Sequence, residues 1–92
     1  MINYNLKDTV NLMDSDDYKK RFVAEYLQTK IRYEKLKDFC NRIDVTKMMK
    51  TKEPTHDCPL ELLREQQQYM GMYLSVLEKR AIIEEINLKE YI

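Results

Sequence analysis

Residues 16–43 read DDYKKRFVAEYLQTKIRYEKLKDFCNRI, and the spacing of their apolar side chains decides the fold. Phe22, Tyr26, Thr29, Tyr33, Leu36, Cys40 and Ile43 recur in alternating steps of four and three. That is a heptad seam held for three repeats, and it predicts one long amphipathic helix over 16–43. Ala24, Leu27, Ile31 and the aliphatic stem of Lys35 form a second, narrower strip beside the seam. Upstream, Asp14-Ser15-Asp16-Asp17 supplies side-chain oxygens for the unpaired N–H groups of the first turn and negative charge for the helix's positive end.

Residues 44–57 are polar and interrupted by Pro54, which reads as the connection. The second helix is expected over 59–88, with Pro59 at its first position, where a missing N–H costs nothing. One of its faces carries Leu63, Met70, Tyr73, Leu77, Ala81 and Leu88, and another carries Tyr69, Met72, Val76, Ile83 and Ile86. A helix apolar on two faces is buried on two sides. The first helix takes one face, so the second face predicts an interface between subunits or a surface for a partner's groove. Gly71 breaks the helical composition at about 1 kcal/mol relative to alanine; a close helix crossing is the favoured account, with a ligand approaching the backbone or simple tolerance as the alternatives.

Ahead of both helices, Leu6, Val10 and Met13 share one face of a short helix within an arm over 1–13. The expected fold is all-α: a single domain over 1–92, built as a long antiparallel two-helix hairpin with a short N-terminal helix. Each long helix spans roughly 40 Å. Such a pair makes a seam rather than a core, so assembly into a homo-oligomeric helical bundle is expected.

Composition narrows the function. The chain has 92 residues, one glycine, two prolines, no tryptophan, and 16 basic against 16 acidic side chains. Zero net charge counts against a duplex nucleic-acid binder, although Lys19, Lys20 and Arg21 with Lys47, Lys50 and Lys52 leave room for a local basic patch. No apolar run approaches the ~20 residues of a membrane span, and no secretory leader is recognisable. Cys40 and Cys58 are expected to remain reduced.

Catalytic signatures are missing, so no enzyme activity is expected and no cofactor is called for. Cys40, His56 and Cys58 would begin a zinc site, but their spacing matches no zinc motif, and the plainer reading is a seam cysteine and a loop histidine. The seven tyrosines carry more information. An aromatic ring beside a guanidinium stacks a base and grips a phosphate. Tyr18 and Arg21 lie one turn apart at the start of the first helix, where free N–H groups favour anions. The competing reading places Tyr26, Tyr33 and Tyr73 in the seam, with hydroxyls at its edge.

The run Ser15-Asp16-Asp17-Tyr18…Arg21-Phe22…Ala24-Glu25-Tyr26, with Cys58-Pro59…Gln66…Met70…Tyr73…Leu77…Arg80-Ala81…Glu84, resembles small phage and prophage proteins of gut bacteria related to a crAss-like phage family. The architecture is similar to the cyclic-nucleotide sponges that blunt CBASS-type immunity. The resemblance implies a non-enzymatic counter-defence protein in the cytoplasm of the bacterial host. Such a protein sequesters a cyclic or other nucleotide-derived signal in pockets between subunits. Tyr18, Arg21, Glu25 and Tyr26 are then the candidate ligand contacts. The alternative is a protein-binding module that grips a host protein through the second apolar face of the second helix.

Overall fold

A computed structural model describes residues 5–91. Met1–Tyr4, the start of the expected arm, and Ile92 lie outside the described residues. A 3-10 turn at Lys7–Thr9 leads into α1 (Val10–Met13), followed by α2 (Tyr18–Met49), α3 (Leu60–Ile83) and a last 3-10 turn at Leu88–Glu90. Among the described residues the regular structure is entirely helical. The two long helices pack together and set the 49 Å long axis.

Local chemistry explains each start. Asn5 and Asp8 cap one another reciprocally: the Asn5 amide donates to Asp8 Oδ2 at 3.1 Å, and the Asp8 amide to Asn5 Oδ1 at 3.0 Å. Asp17 caps α2 by accepting the Lys19 amide at 2.9 Å, as the acidic cluster predicted. Pro59 stands immediately before α3.

Both helix ends differ from expectation. α2 continues six residues past Ile43, so the connection begins at Lys50 rather than residue 44. The polar run Asp44–Lys47 stays helical because its side chains find partners: Thr46 donates to the Ile43 carbonyl at 2.8 Å, and Asp44 pairs with Arg64 across the hairpin. The helix then closes in a Schellman turn. Lys50 takes the left-handed conformation (φ 58°), and the Thr51 amide returns to the Thr46 carbonyl at 2.9 Å.

α3 stops at Ile83, five residues short of the expected 88, through the same device. Glu85 is left-handed (φ 58°), and the Ile86 amide reaches the Ala81 carbonyl at 2.8 Å. This reversal corrects the placement of Ile86. Predicted on the outer stripe of α3, it folds back and is 9% exposed, in the core with Phe22, Val23, Tyr26, Leu27, Leu74, Leu77 and Ala81. Burying one more large aliphatic side chain stabilises by roughly 1.5–3 kcal/mol, enough to outweigh a non-glycine left-handed residue.

The surplus apolar surface of α2 is met within the chain. Ala24, Leu27 and Ile31, the second strip, are buried, and the arm lies against α2. Thr9 is fully buried, its hydroxyl donating to the Leu6 carbonyl at 2.7 Å and accepting from Gln28 Nε2 at 2.9 Å. Leu12 packs against the core cluster. The strip therefore needs no second copy.

Gly71 faces Tyr33 of α2, and a Cβ built there would stand 3.2 Å from Tyr33 Cε1 and 3.5 Å from its hydroxyl oxygen. The close crossing predicted from the glycine is present. Replacing Gly71 with leucine should lower stability by about 1–3 kcal/mol through overpacking, measured by urea denaturation. Glu85→Gly should instead raise it by about 0.5–1 kcal/mol by relieving the left-handed backbone.

Candidate functional site

The first nine residues of α2 carry the four ligand contacts expected from sequence, and α3 divides Tyr26 from Tyr18 and Glu25. Tyr18, half exposed, lies beside the last turn of α3, where its hydroxyl helps favour the charged form of Glu84. Arg80 closes this corner. Its guanidinium stacks over the Phe22 ring at 4.8 Å and grips Glu84 with two N–H groups, at 2.7 and 3.2 Å. These bonds hold the Glu84 carboxyl below its usual range and push Arg80 further toward its charged form. Glu25 adds negative charge near Arg80. Arg21 is exposed and donates from Nη1 to the Ser15 carbonyl at 2.8 Å, which ties the capping segment to the helix it starts. A guanidinium carries five N–H groups, so this bond leaves capacity for an anion.

Tyr26 belongs elsewhere. It is 2% exposed, and its hydroxyl crosses the seam to donate to Glu78 Oε2 at 2.7 Å. Burial, then the bond and the charge of Glu78, push its ionisation upward, so the phenol stays protonated at any physiological pH. Residues 78 and 80 are two positions apart on a helix, about 200° around its axis, so Glu78 and Arg80 serve opposite flanks of α3. Tyr18 and Glu25 therefore lie on the Arg80 flank, Tyr26 reaches the other, and Arg21 turns to the capping segment at Ser15.

On that other flank the returning C-terminal segment leaves an open groove of about 430 Å³. Tyr26, Ala81, Ile82, Ile86 and Leu88 supply its apolar surface, and Glu78, Asn87 and Lys89 its polar edge. Sequence reading missed this groove. It depends on the left-handed turn at Glu85, and no glycine or asparagine marks that turn.

The interface stripe expected on α3 is largely exposed in the single chain. Tyr69, Met72, Val76 and Ile83 are 51–80% exposed, and Leu62 and Tyr73 continue the same face at 54% and 42%. Together these six form an apolar stripe along α3, interrupted by Glu65, Gln66 and Arg80.

At the opposite end of the hairpin, His56 organises the connection. Its Nδ1 meets the Cys58 carbonyl at 2.6 Å, its Nε2 meets Glu53 at 3.3 Å, and its ring stands edge-on to Phe39 at 6.2 Å. Cys40 is buried in the seam while Cys58 is exposed. Among the described residues no group of three or more His, Cys, Asp or Glu side chains is arranged to hold a metal, and no helix is long and apolar enough to cross a membrane.

The form is an all-helical hairpin with a docked arm, an exposed apolar stripe and ligand-sized hollows. The family is specific: the chain belongs to Sequestin, whose family model matches residues 16–83. The matched span runs from the α2 cap to the end of α3 and so covers the whole hairpin. No curated protein and no solved structure matches the chain. The family name denotes sequestration.

His56 sets a pH dependence. The bond to the Cys58 carbonyl, then the bond to Glu53, raise its pKa above the ordinary 6.5, while partial burial and Lys47 oppose the shift. Only the charged ring donates from both nitrogens. A raised folded-state pKa contributes stability that is fully present below the unfolded value and is lost as pH rises through the folded one. The melting temperature of the wild type should therefore exceed that of His56→Gln most at pH 6, and the gap should narrow toward pH 8.

Proposed function

We propose that this protein is a phage-encoded counter-defence protein that sequesters a nucleotide-derived immune signal without turning it over. The observation that carries this reading is membership of Sequestin across both long helices. The surface chemistry supports it. Tyr18 offers a half-exposed ring, Arg21 and Arg80 offer guanidinium groups for phosphate, and Tyr26 walls a groove within the ~300–1,000 Å³ range of ligand pockets. Glu25 and Glu84 offset the guanidinium charge near Tyr18, so the corner selects for shape and hydrogen bonding as well as charge.

Assembly is part of the proposal. The exposed apolar stripe of α3 is the surface that would join the copies. Two copies joined along it form a four-helix arrangement of the usual kind, and ligand pockets would form where the flanks of neighbouring copies meet. A second reading, favoured by the same stripe, is a protein-binding module that inhibits a host protein through α3. The two differ in who covers Tyr69, Met72, Val76 and Ile83.

Native mass spectrometry of the protein incubated with metabolites from infected cells separates the readings. Sequestration predicts a defined oligomer that gains the mass of a nucleotide. A monomer that gains nothing rejects it in favour of the protein-binding module. Val76→Glu should convert the oligomer to monomer while leaving the helical circular dichroism intact, because this side chain is exposed in the single chain. The double variant Tyr18→Ala, Arg21→Ala should lower nucleotide affinity by at least about tenfold through loss of a stacking surface and a charged hydrogen bond. Unchanged affinity rejects these two residues as contacts.

A further inference from the structure

The groove beside the C-terminal return has a division of chemistry that none of its residues shows alone. Its body is apolar and built from Ala81, Ile82, Ile86 and Leu88 with the wall of Tyr26. Ile82 is 80% exposed, although it stands directly beside the buried Ala81. The polar groups sit at the edge: Glu78 and Asn87, with Lys89 bringing the one basic group lining the groove. Asn87 is occupied in shaping the return, accepting the Lys89 amide at 3.1 Å and donating to Glu90 at 3.4 Å. Glu78 and Lys89 remain as the charged groups a ligand would meet.

Glu78 is held in place by an unusual partner for an exposed carboxylate. The buried Tyr26 hydroxyl donates to Oε2 at 2.7 Å, and this fixes the carboxylate at the groove edge without neutralising it. A carboxylate has about four acceptor positions, so this single bond leaves it able to accept more. It can accept only from neutral or cationic donors and it repels phosphate. In a nucleotide, the flat base suits the apolar body, the phosphate suits Lys89, and the group left for a fixed carboxylate is the pair of ribose hydroxyls. A carboxylate that accepts from ribose hydroxyls is the recurrent solution in dinucleotide-binding folds of unrelated architecture.

We propose that this groove is a ribonucleotide subsite in which Glu78, positioned by Tyr26, accepts hydrogen bonds from the 2′- and 3′-hydroxyls of a ribose. The base lies on Ile82, Ile86 and Leu88, and Lys89 contacts phosphate. The inference rests on the nucleotide reading above and adds a sugar requirement: a ribose with both hydroxyls available. Tyr18 lies on the opposite flank of α3, so a ligand in this groove meets that ring only from a second copy. That is what a pocket shared between subunits requires.

The test uses AMP and 2′-deoxy-AMP as probes of the full-length protein, with affinity read from isoleucine methyl NMR shifts. Wild type should bind AMP at least about tenfold more tightly than 2′-deoxy-AMP, the loss expected for one charge-assisted hydrogen bond. The shifts should centre on Ile82 and Ile86. In Glu78→Gln, where the amide oxygen still accepts from Tyr26, the preference for the ribonucleotide should vanish while the isoleucine spectrum of the free protein stays native. Equal binding of the two probes to wild type overturns the ribose assignment and leaves the nucleotide reading standing. A preference that survives in Glu78→Gln does the same. Shifts that bypass Ile82 and Ile86 overturn the groove as the site. Absence of any binding by either probe overturns the subsite, and the nucleotide reading is then judged separately by the mass gained from the metabolite extract.

Discussion

Burial of Phe22, Tyr26 and Leu27 of α2 against Leu74, Leu77 and Ala81 of α3 is the constraint from which the other features follow. Two antiparallel helices bury only a stripe each, so this chain adds cover from both ends. The arm lies on the flank of α2 that α3 leaves open, and Ile86 returns from the far end of α3 to thicken the same cluster. Without these additions a hairpin of this size would bury too little apolar surface to offset its conformational entropy.

The polar groups along the seam are placed to be satisfied rather than merely tolerated. Tyr26 enters the core as a large apolar body, and its hydroxyl leaves at the edge to meet Glu78. Arg64 does the equivalent at the loop end, bonding Asn41 and Asp44 of α2 and Gln67 of its own helix. Arg80 joins the two helices through a ring face and a carboxylate. Each tie crosses or borders the apolar seam, which fixes the register of one helix on the other. Among the described residues no buried side-chain nitrogen or oxygen lacks a partner. A fixed register holds Glu78, Ile82 and Tyr26 at constant separation.

The same economy leaves one face of α3 outside the intramolecular core. Glu65, Gln66 and Arg80 interrupt the apolar stripe from Leu62 to Ile83, and this mixture suits an interface that is also compatible with an unassembled chain in water. Binding sites built at such a surface draw precision from rigid helices, in contrast to sites on long loops. The ten-residue scale of the actual connection, tied down by His56, Glu53 and Lys47, fits that picture.

Sequence alone placed Tyr73 in the seam, where the structure leaves it exposed, and passed over the buried Val23 and Leu74, but it determined the helical class, the two long helices, the α2 seam at Phe22, Tyr26, Cys40 and Ile43, and the close crossing at Gly71. These rest on periodicity and on capping chemistry, which are local. A second apolar face on α3 is also legible from spacing, and Tyr69, Met72, Val76 and Ile83 of that face are exposed in the single chain. What the sequence lacked was the ends. Asp44 and Thr46 read as loop until Arg64 and the Ile43 carbonyl partner them, and Glu85 gives no sign of a left-handed turn. The groove, the core position of Ile86 and the separation of Tyr26 from Tyr18 all depend on that turn and on which flank of α3 each side chain meets. Those are properties of packing between distant segments, and only the tertiary structure decided them.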